Sequence, residues 1–111
     1  MTKLKHGQPL VIIGPQGSGK TIRAKEIAEK CGTYQYAFLD DILSDMPLDE
    51  LLTGKPDTVI VEEAFCSKKQ LARLKAVITK KGAPNFIFVS NSHSNFPEPH
   101  TSRRFRFLRI N

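Results

Sequence analysis

The 111-residue sequence contains no tryptophan, only two cysteines and two methionines, and no apolar run approaching the ~20 residues that a membrane-crossing helix requires. Each absence excludes a class. Cys31 and Cys66 stand 35 residues apart (66 − 31), with no C-x-x-C pattern or metal-ligand spacing, which excludes a disulfide-framed scaffold and a thiolate metal centre. They read as reduced thiols. The start Met1-Thr2-Lys3-Leu4-Lys5-His6-Gly7 lacks the apolar stretch of a secretory leader, so a soluble, cytoplasmic protein with no membrane partner is expected. His6, His93 and His100 are scattered and have no carboxylates at metal-binding spacing, so they read as loop residues. There are no internal repeats and no low-complexity linker. The expected organisation is one domain over residues 1–111. Acids are in the minority, 11 against 17 basic residues, and the formal charge of +6 favours an anionic partner without identifying it.

What the sequence does contain is the stretch Gly14-Pro15-Gln16-Gly17-Ser18-Gly19-Lys20-Thr21, which fits the pattern G-x-x-x-x-G-K-S/T at every fixed position. It follows directly on the apolar run Pro9-Leu10-Val11-Ile12-Ile13. A strand feeding a glycine-rich turn and then a helix lets backbone N–H groups and the helix N-terminus converge on phosphates. Glycine serves where the chain takes positive φ or passes close to a phosphate oxygen. Lys20 supplies a point charge to the β- and γ-phosphates, and Thr21 offers a hydroxyl to Mg²⁺. A plain glycine-rich turn is the simpler alternative, but strand and helix contexts on both sides favour a site for a nucleoside triphosphate such as ATP.

The rest of the chain alternates between strand and helix patterns. Strands are expected at 9–13, 36–39, 58–61, 86–89 and 105–110, and helices at 21–31, near 48–52 and from 68 to about 81. On the first helix Ile22, Ala24, Ile27 and Ala28 lie near one face, with Gly32 expected to end it in the left-handed conformation. Ser67-Lys68-Lys69-Gln70 resembles a capping box ahead of a helix with Leu71, Leu74, Val77 and Ile78 on one face, closed by Gly82 and Pro84. Residues 95–101 read as a proline-containing loop. The fold class is α/β: a three-layer arrangement around a five-stranded, mostly parallel sheet.

Two further strands deliver polar residues to the edge where the glycine-rich turn lies. Val59-Ile60-Val61 runs into Glu62-Glu63, with Glu62 the candidate on the metal side and Glu63 the candidate base that positions an attacking water. Phe86-Ile87-Phe88-Val89 ends in Ser90-Asn91, where Asn91 is placed to hydrogen-bond the γ-phosphate or that water. Asparagine after a strand is also a common turn residue. Basic residues concentrate in two places, Lys68-Lys69, Arg73, Lys75 and Lys80-Lys81 on the 68–81 helix, and Arg103-Arg104-Phe105-Arg106-Phe107-Leu108-Arg109 in the tail. A solvated polar face and a nucleic-acid surface both fit the helical set.

These residues together resemble the AAA+ ATPases and, among them, the superfamily 3 helicases of small DNA viruses and plasmids. Gly14 to Thr21 is similar to their Walker A loop, Val59-Ile60-Val61-Glu62-Glu63 to Walker B, Phe88-Val89-Ser90-Asn91 to the sensor 1 or motif C strand, and Arg103-Arg104-Phe105 to the arginine-finger segment. The resemblance implies ATP hydrolysis with Mg²⁺, a role in a replication or helicase-like assembly, and self-association in which Arg103 and Arg104 complete a neighbour's site. Two departures stand against it. The sequence given ends after the fifth strand with no helical lid, and one helix occupies the stretch where superfamily 3 helicases carry a DNA-contacting hairpin. Two other readings stay open, a nucleoside or nucleotide kinase and a non-hydrolysing module whose nucleotide state controls docking.

Overall fold

The computed structural model describes residues 4–62, 64–91 and 105–110. Five strands and four helices follow one another as β1 (Leu10–Ile13), α1 (Lys20–Cys31), β2 (Tyr34–Ala37), α2 (Leu39–Ile42), α3 (Leu48–Leu51), β3 (Thr58–Val61), α4 (Lys68–Thr79), β4 (Asn85–Ser90) and β5 (Arg106–Arg109). The strands form one sheet in the order β2-β3-β4-β1-β5. Every pairing is parallel, so all five strands present their carboxyl ends along the same edge.

Strands β1 and β3 are buried along their whole length because both sheet faces are covered. Alternation along each strand divides the core in two. Leu10, Ile12, Ile60, Ile87 and Val89 meet Ala24, Ile27 and Ala28 of α1 on one face. Val11, Val59, Val61, Phe86 and Phe88 meet Leu39 and Ile42 of α2 and Leu71, Leu74 and Ile78 of α4 on the other. The rings of Phe86 and Phe88 stack at 6.0 Å, and Phe88 stacks in turn on Phe105, just ahead of β5, at 6.0 Å. Helix layers on both faces make the described residues a three-layer α/β unit. Among them no helix is long and apolar enough to cross a membrane.

Several expected boundaries shift. The expected second strand at 36–39 lies instead at Tyr34–Ala37, and Leu39 already belongs to α2. Its register is set by long-range pairs: the Asp57 carboxylate accepts the Thr33 backbone N–H at 2.9 Å and its hydroxyl at 3.2 Å, which places Tyr34 opposite Thr58. Gly32 does end α1, but at φ 126° and ψ −144° rather than in the left-handed helical well. Any Cβ there would collide with the Asp57 carboxylate. The capping box forms as expected, with the Ser67 hydroxyl accepting from the Gln70 backbone N–H and the Gln70 side chain accepting from the Ser67 N–H. Helix α4 stops at Thr79, earlier than expected, because Lys80 turns extended before Gly82 at φ 85°.

Both thiols are free, Cys31 partly exposed and Cys66 buried. Burial pushes the Cys66 thiol up to about 11, leaving almost no thiolate at neutral pH. A thiol reagent at neutral pH is therefore expected to label Cys31 first and Cys66 only on unfolding, which mass spectrometry of the labelled peptides reads directly.

Candidate functional site

The glycine-rich loop leaves β1 at Gly14, whose N–H donates to the Ser90 carbonyl at 3.3 Å and so fastens the loop to the end of β4. A Cβ at Gly14 would stand 2.7 Å from the Ile110 backbone oxygen and 2.6 Å from the Ser18 hydroxyl, closer than real Cβ contacts come. Only glycine lets β1 and the chain after β5 approach this closely. Gly14→Ala is accordingly expected to lower unfolding stability by about 1–3 kcal/mol, measured by urea denaturation.

Gly17 and Gly19 serve a different purpose. Both have positive φ, 82° and 86°, and neither has a neighbour within 4 Å of where a Cβ would project. The loop turns through them, helped by the Ser18 N–H donating to the Pro15 carbonyl at 3.1 Å. The Lys20 ammonium folds back across the turn and donates to the same Pro15 carbonyl at 3.1 Å. The Ser18 hydroxyl is buried with no hydrogen-bond partner among the described residues.

Helix α1 starts at Lys20, after Gly19, with no side-chain cap and no acid in its first turn. Its first internal bond runs from the Arg23 N–H to the Gly19 carbonyl at 3.0 Å. The positive end of its dipole is thus left without any internal counter-charge. Helix α4 is built the opposite way, with both halves of its capping box satisfied by its own side chains. The contrast singles out the α1 N-terminus as the end suited to an external anion.

Opposite the loop stand the ends of β3 and β4. The Ala64 N–H donates to the Val89 carbonyl at 2.9 Å, holding the chain just past β3 against β4, so half-buried Glu62 lies beside the end of that strand. Because β4 sits between β1 and β3, Asn91 emerges between the loop and Glu62. The result is a cleft of about 480 Å³ at the carboxyl edge. Gln16, Gly17, Gly19, Lys20 and Thr21 contribute one wall, and Glu62, Val89 and Asn91 also line it. Crossovers leave β1 toward one face and β3 toward the other, the topological switch at which open α/β sheets hold ligands.

Expected site residues therefore divide into three groups. Gln16, Gly17, Gly19, Lys20, Thr21, Glu62 and Asn91 come together in one cleft. Gly14, Pro15 and Ser18 shape the loop beneath it. Glu63, Arg103 and Arg104 lie outside the described residues, as do His93, His100 and the 95–101 loop, which were read as loop rather than site. Ile22 was expected on the buried face of α1 and is instead 66% exposed, because the first turn overhangs the cleft and its side chain lines it. Val89 also lines the cleft, and hydrophobicity alone gave no sign of that.

Burial raises the Tyr36 phenol above its ordinary value, and the nearby Tyr34 and the Glu62 carboxylate raise it further. Thr21 and Glu62 together offer two hard oxygen donors of the kind Mg²⁺ takes. Among the described residues no three His, Cys, Asp or Glu side chains gather as a metal cage. A metal held here would draw its remaining ligands from phosphate oxygens and water, the usual situation for Mg²⁺.

Most basic side chains of α4 and of the two residues after it face solvent. Lys68, Lys69, Lys80 and Lys81 are exposed, while Arg73 pairs with Asp45 at 2.8 Å. The His6 ring meets the Lys80 carbonyl at 3.0 Å, remote from the cleft on the amino side of the sheet. Strand β5 begins with Arg106 opposite Leu10 and runs toward the loop, so its start lies at the edge away from the cleft.

A scan against protein-family models finds no match, and a search of curated proteins finds none.

Proposed function

We propose that the chain is a P-loop ATPase core, with AAA+ or superfamily 3 ancestry, that binds ATP with Mg²⁺ in the carboxyl-edge cleft and hydrolyses it. One observation carries this reading: a single cleft joins the uncapped α1 N-terminus and Lys20 to polar residues from two other strands. N–H groups of the loop and of the first α1 turn hold phosphate oxygens. Lys20 exchanges the Pro15 carbonyl for the β- and γ-phosphates, and Thr21 and Glu62 hold the metal, which when bound neutralises charge on those phosphates. Asn91 orients the attacking water, and Glu63, next in sequence to Glu62, takes its proton. Hydrolysis is preferred to transfer to an acceptor because Glu63 follows β3 in sequence and Asn91 follows β4, each a candidate for positioning water.

The test is product analysis with labelled ATP, with and without single-stranded DNA and with candidate phosphate acceptors. ADP and free phosphate in equal amounts without any acceptor are expected. Label on an acceptor would assign a kinase, and binding without turnover a nucleotide-dependent docking module.

Self-association belongs to the same proposal. Strand β5 starts at the edge away from the cleft, and Arg103 and Arg104 precede it in sequence, so we read them as a finger for a neighbour's nucleotide. A finger supplied in trans is worth about 10³ to 10⁵ in rate. Mixing the double variant Arg103→Ala/Arg104→Ala with Lys20→Ala, each inactive alone, is expected to recover activity, since a head-to-tail pair joins one intact site to one intact finger. No recovery, with activity per molecule flat on dilution, would make the arginines surface charges that keep an edge strand soluble.

A further inference from the structure

Beyond Glu62 the carboxyl edge opens into a second cleft, of about 630 Å³, within the range that holds small organic ligands. Glu62 forms part of both clefts. Phe38, leaving β2, and Phe65, shortly after β3, line the second one while 71% and 60% exposed, an unusual use of two large apolar rings in so small a chain. Neither ring belongs to the core. Asp40, whose carboxylate has no hydrogen bond or ion pair among the described residues, and Lys69, equally unpaired there, also line the cleft. Gln70 spends its amide oxygen on the α4 capping box, which leaves the amide nitrogen as a donor at the cleft wall.

This set is selective by its chemistry. Exposed phenyl rings offer faces to a planar aromatic ring. Asp40 and Glu62 accept protons from hydroxyls or amines, and Lys69 and Gln70 donate to ring carbonyls or nitrogens. A free anion would be repelled by the two carboxylates, and an aliphatic ligand would leave four polar groups unmatched. A base bearing a hydroxylated sugar satisfies rings, acceptors and donors at once.

We infer that the second cleft binds a nucleoside, its ring against Phe38 and Phe65 and its sugar hydroxyls toward Asp40 and Glu62. The nucleoside is free or stands at the end of a single strand. Only its relation to the neighbouring cleft depends on the ATPase reading; the binding itself does not.

The test is equilibrium dialysis of adenosine, guanosine, cytidine and thymidine against the full chain, since these probes lack the phosphates that the loop would hold. Saturable binding of at least one is expected, weakened about tenfold in Phe38→Ala and in Phe65→Ala, and weakened also in the isosteric Asp40→Asn. Both rings are exposed, so their removal leaves the core intact. Binding is expected to persist in Lys20→Ala and under saturating Mg·ATP. That arm separates the two readings: unimpaired ATP binding by Lys20→Ala would remove the ATPase proposal and leave this one standing. A dinucleotide that binds more tightly, with the same loss in the ring variants, assigns the ligand to a strand end, and equal binding assigns it to a free nucleoside. The inference is overturned if neither the nucleosides nor the dinucleotide bind in the millimolar range, if the ring variants bind as the parent does, or if ATP displaces the probe.

Discussion

Lys20→Ala is expected to bind ATP at least about thirtyfold more weakly than the parent while keeping its fold. The loop's N–H groups offset only part of the charge on the β- and γ-phosphates, and removing one member of a desolvated charge pair costs 2 kcal/mol or more. The fold is expected to survive because, among the described residues, the Lys20 ammonium hydrogen-bonds only the Pro15 carbonyl, an exposed contact within the loop itself. Calorimetric titration with Mg·ATP measures the loss and a thermal melt checks the fold. Equal affinity in mutant and parent would remove the phosphate-loop reading altogether.

Glu63→Gln is expected to bind ATP normally and to hydrolyse it about 10² to 10⁴ times more slowly. A metal-side acid affects binding, whereas a group that takes a proton from water acts mainly on turnover. Glu62→Gln should therefore fall into the other class, with weaker Mg²⁺-dependent binding, because Glu62 and Thr21 line the same cleft. Single-turnover hydrolysis at saturating ATP separates the two variants. A parental kcat in Glu63→Gln would exclude Glu63 as the base and make Glu62 or Asp40 the next candidate.

The parts of this protein that local chemistry dictates were legible in the sequence. Strand β3 falls where four consecutive apolar or β-branched residues place it, because a central parallel strand is buried on both faces and needs no alternation. The capping box at Ser67 is local in the same way. Strand β2 was not legible to the residue. It is an edge strand with polar Gln35 inside it, and its register depends on Asp57, a partner 24 residues from Thr33. Reading 36–39 as a strand put Phe38 in the sheet, whereas the structure leaves it exposed as the residue capping α2. The order of the strands was equally out of reach, yet it is what sets Asn91 between the loop and Glu62. Phe65 offered a faint sign in advance, an aromatic residue shortly after two acids, but only the sheet brings it to the same cleft as Phe38.

We propose the cleft between the glycine-rich loop, Glu62 and Asn91 as the nucleotide site. Backbone amide spectra of the ¹⁵N-labelled protein, recorded as Mg·ATP is added, test it most directly. Saturable shifts are expected, largest at Gly17, Gly19, Lys20 and Thr21, with further shifts at Glu62 and Asn91 and none at the opposite edge around Lys81 to Asn85. Saturation with the largest shifts at that opposite edge, or no shift at millimolar ATP, would contradict it.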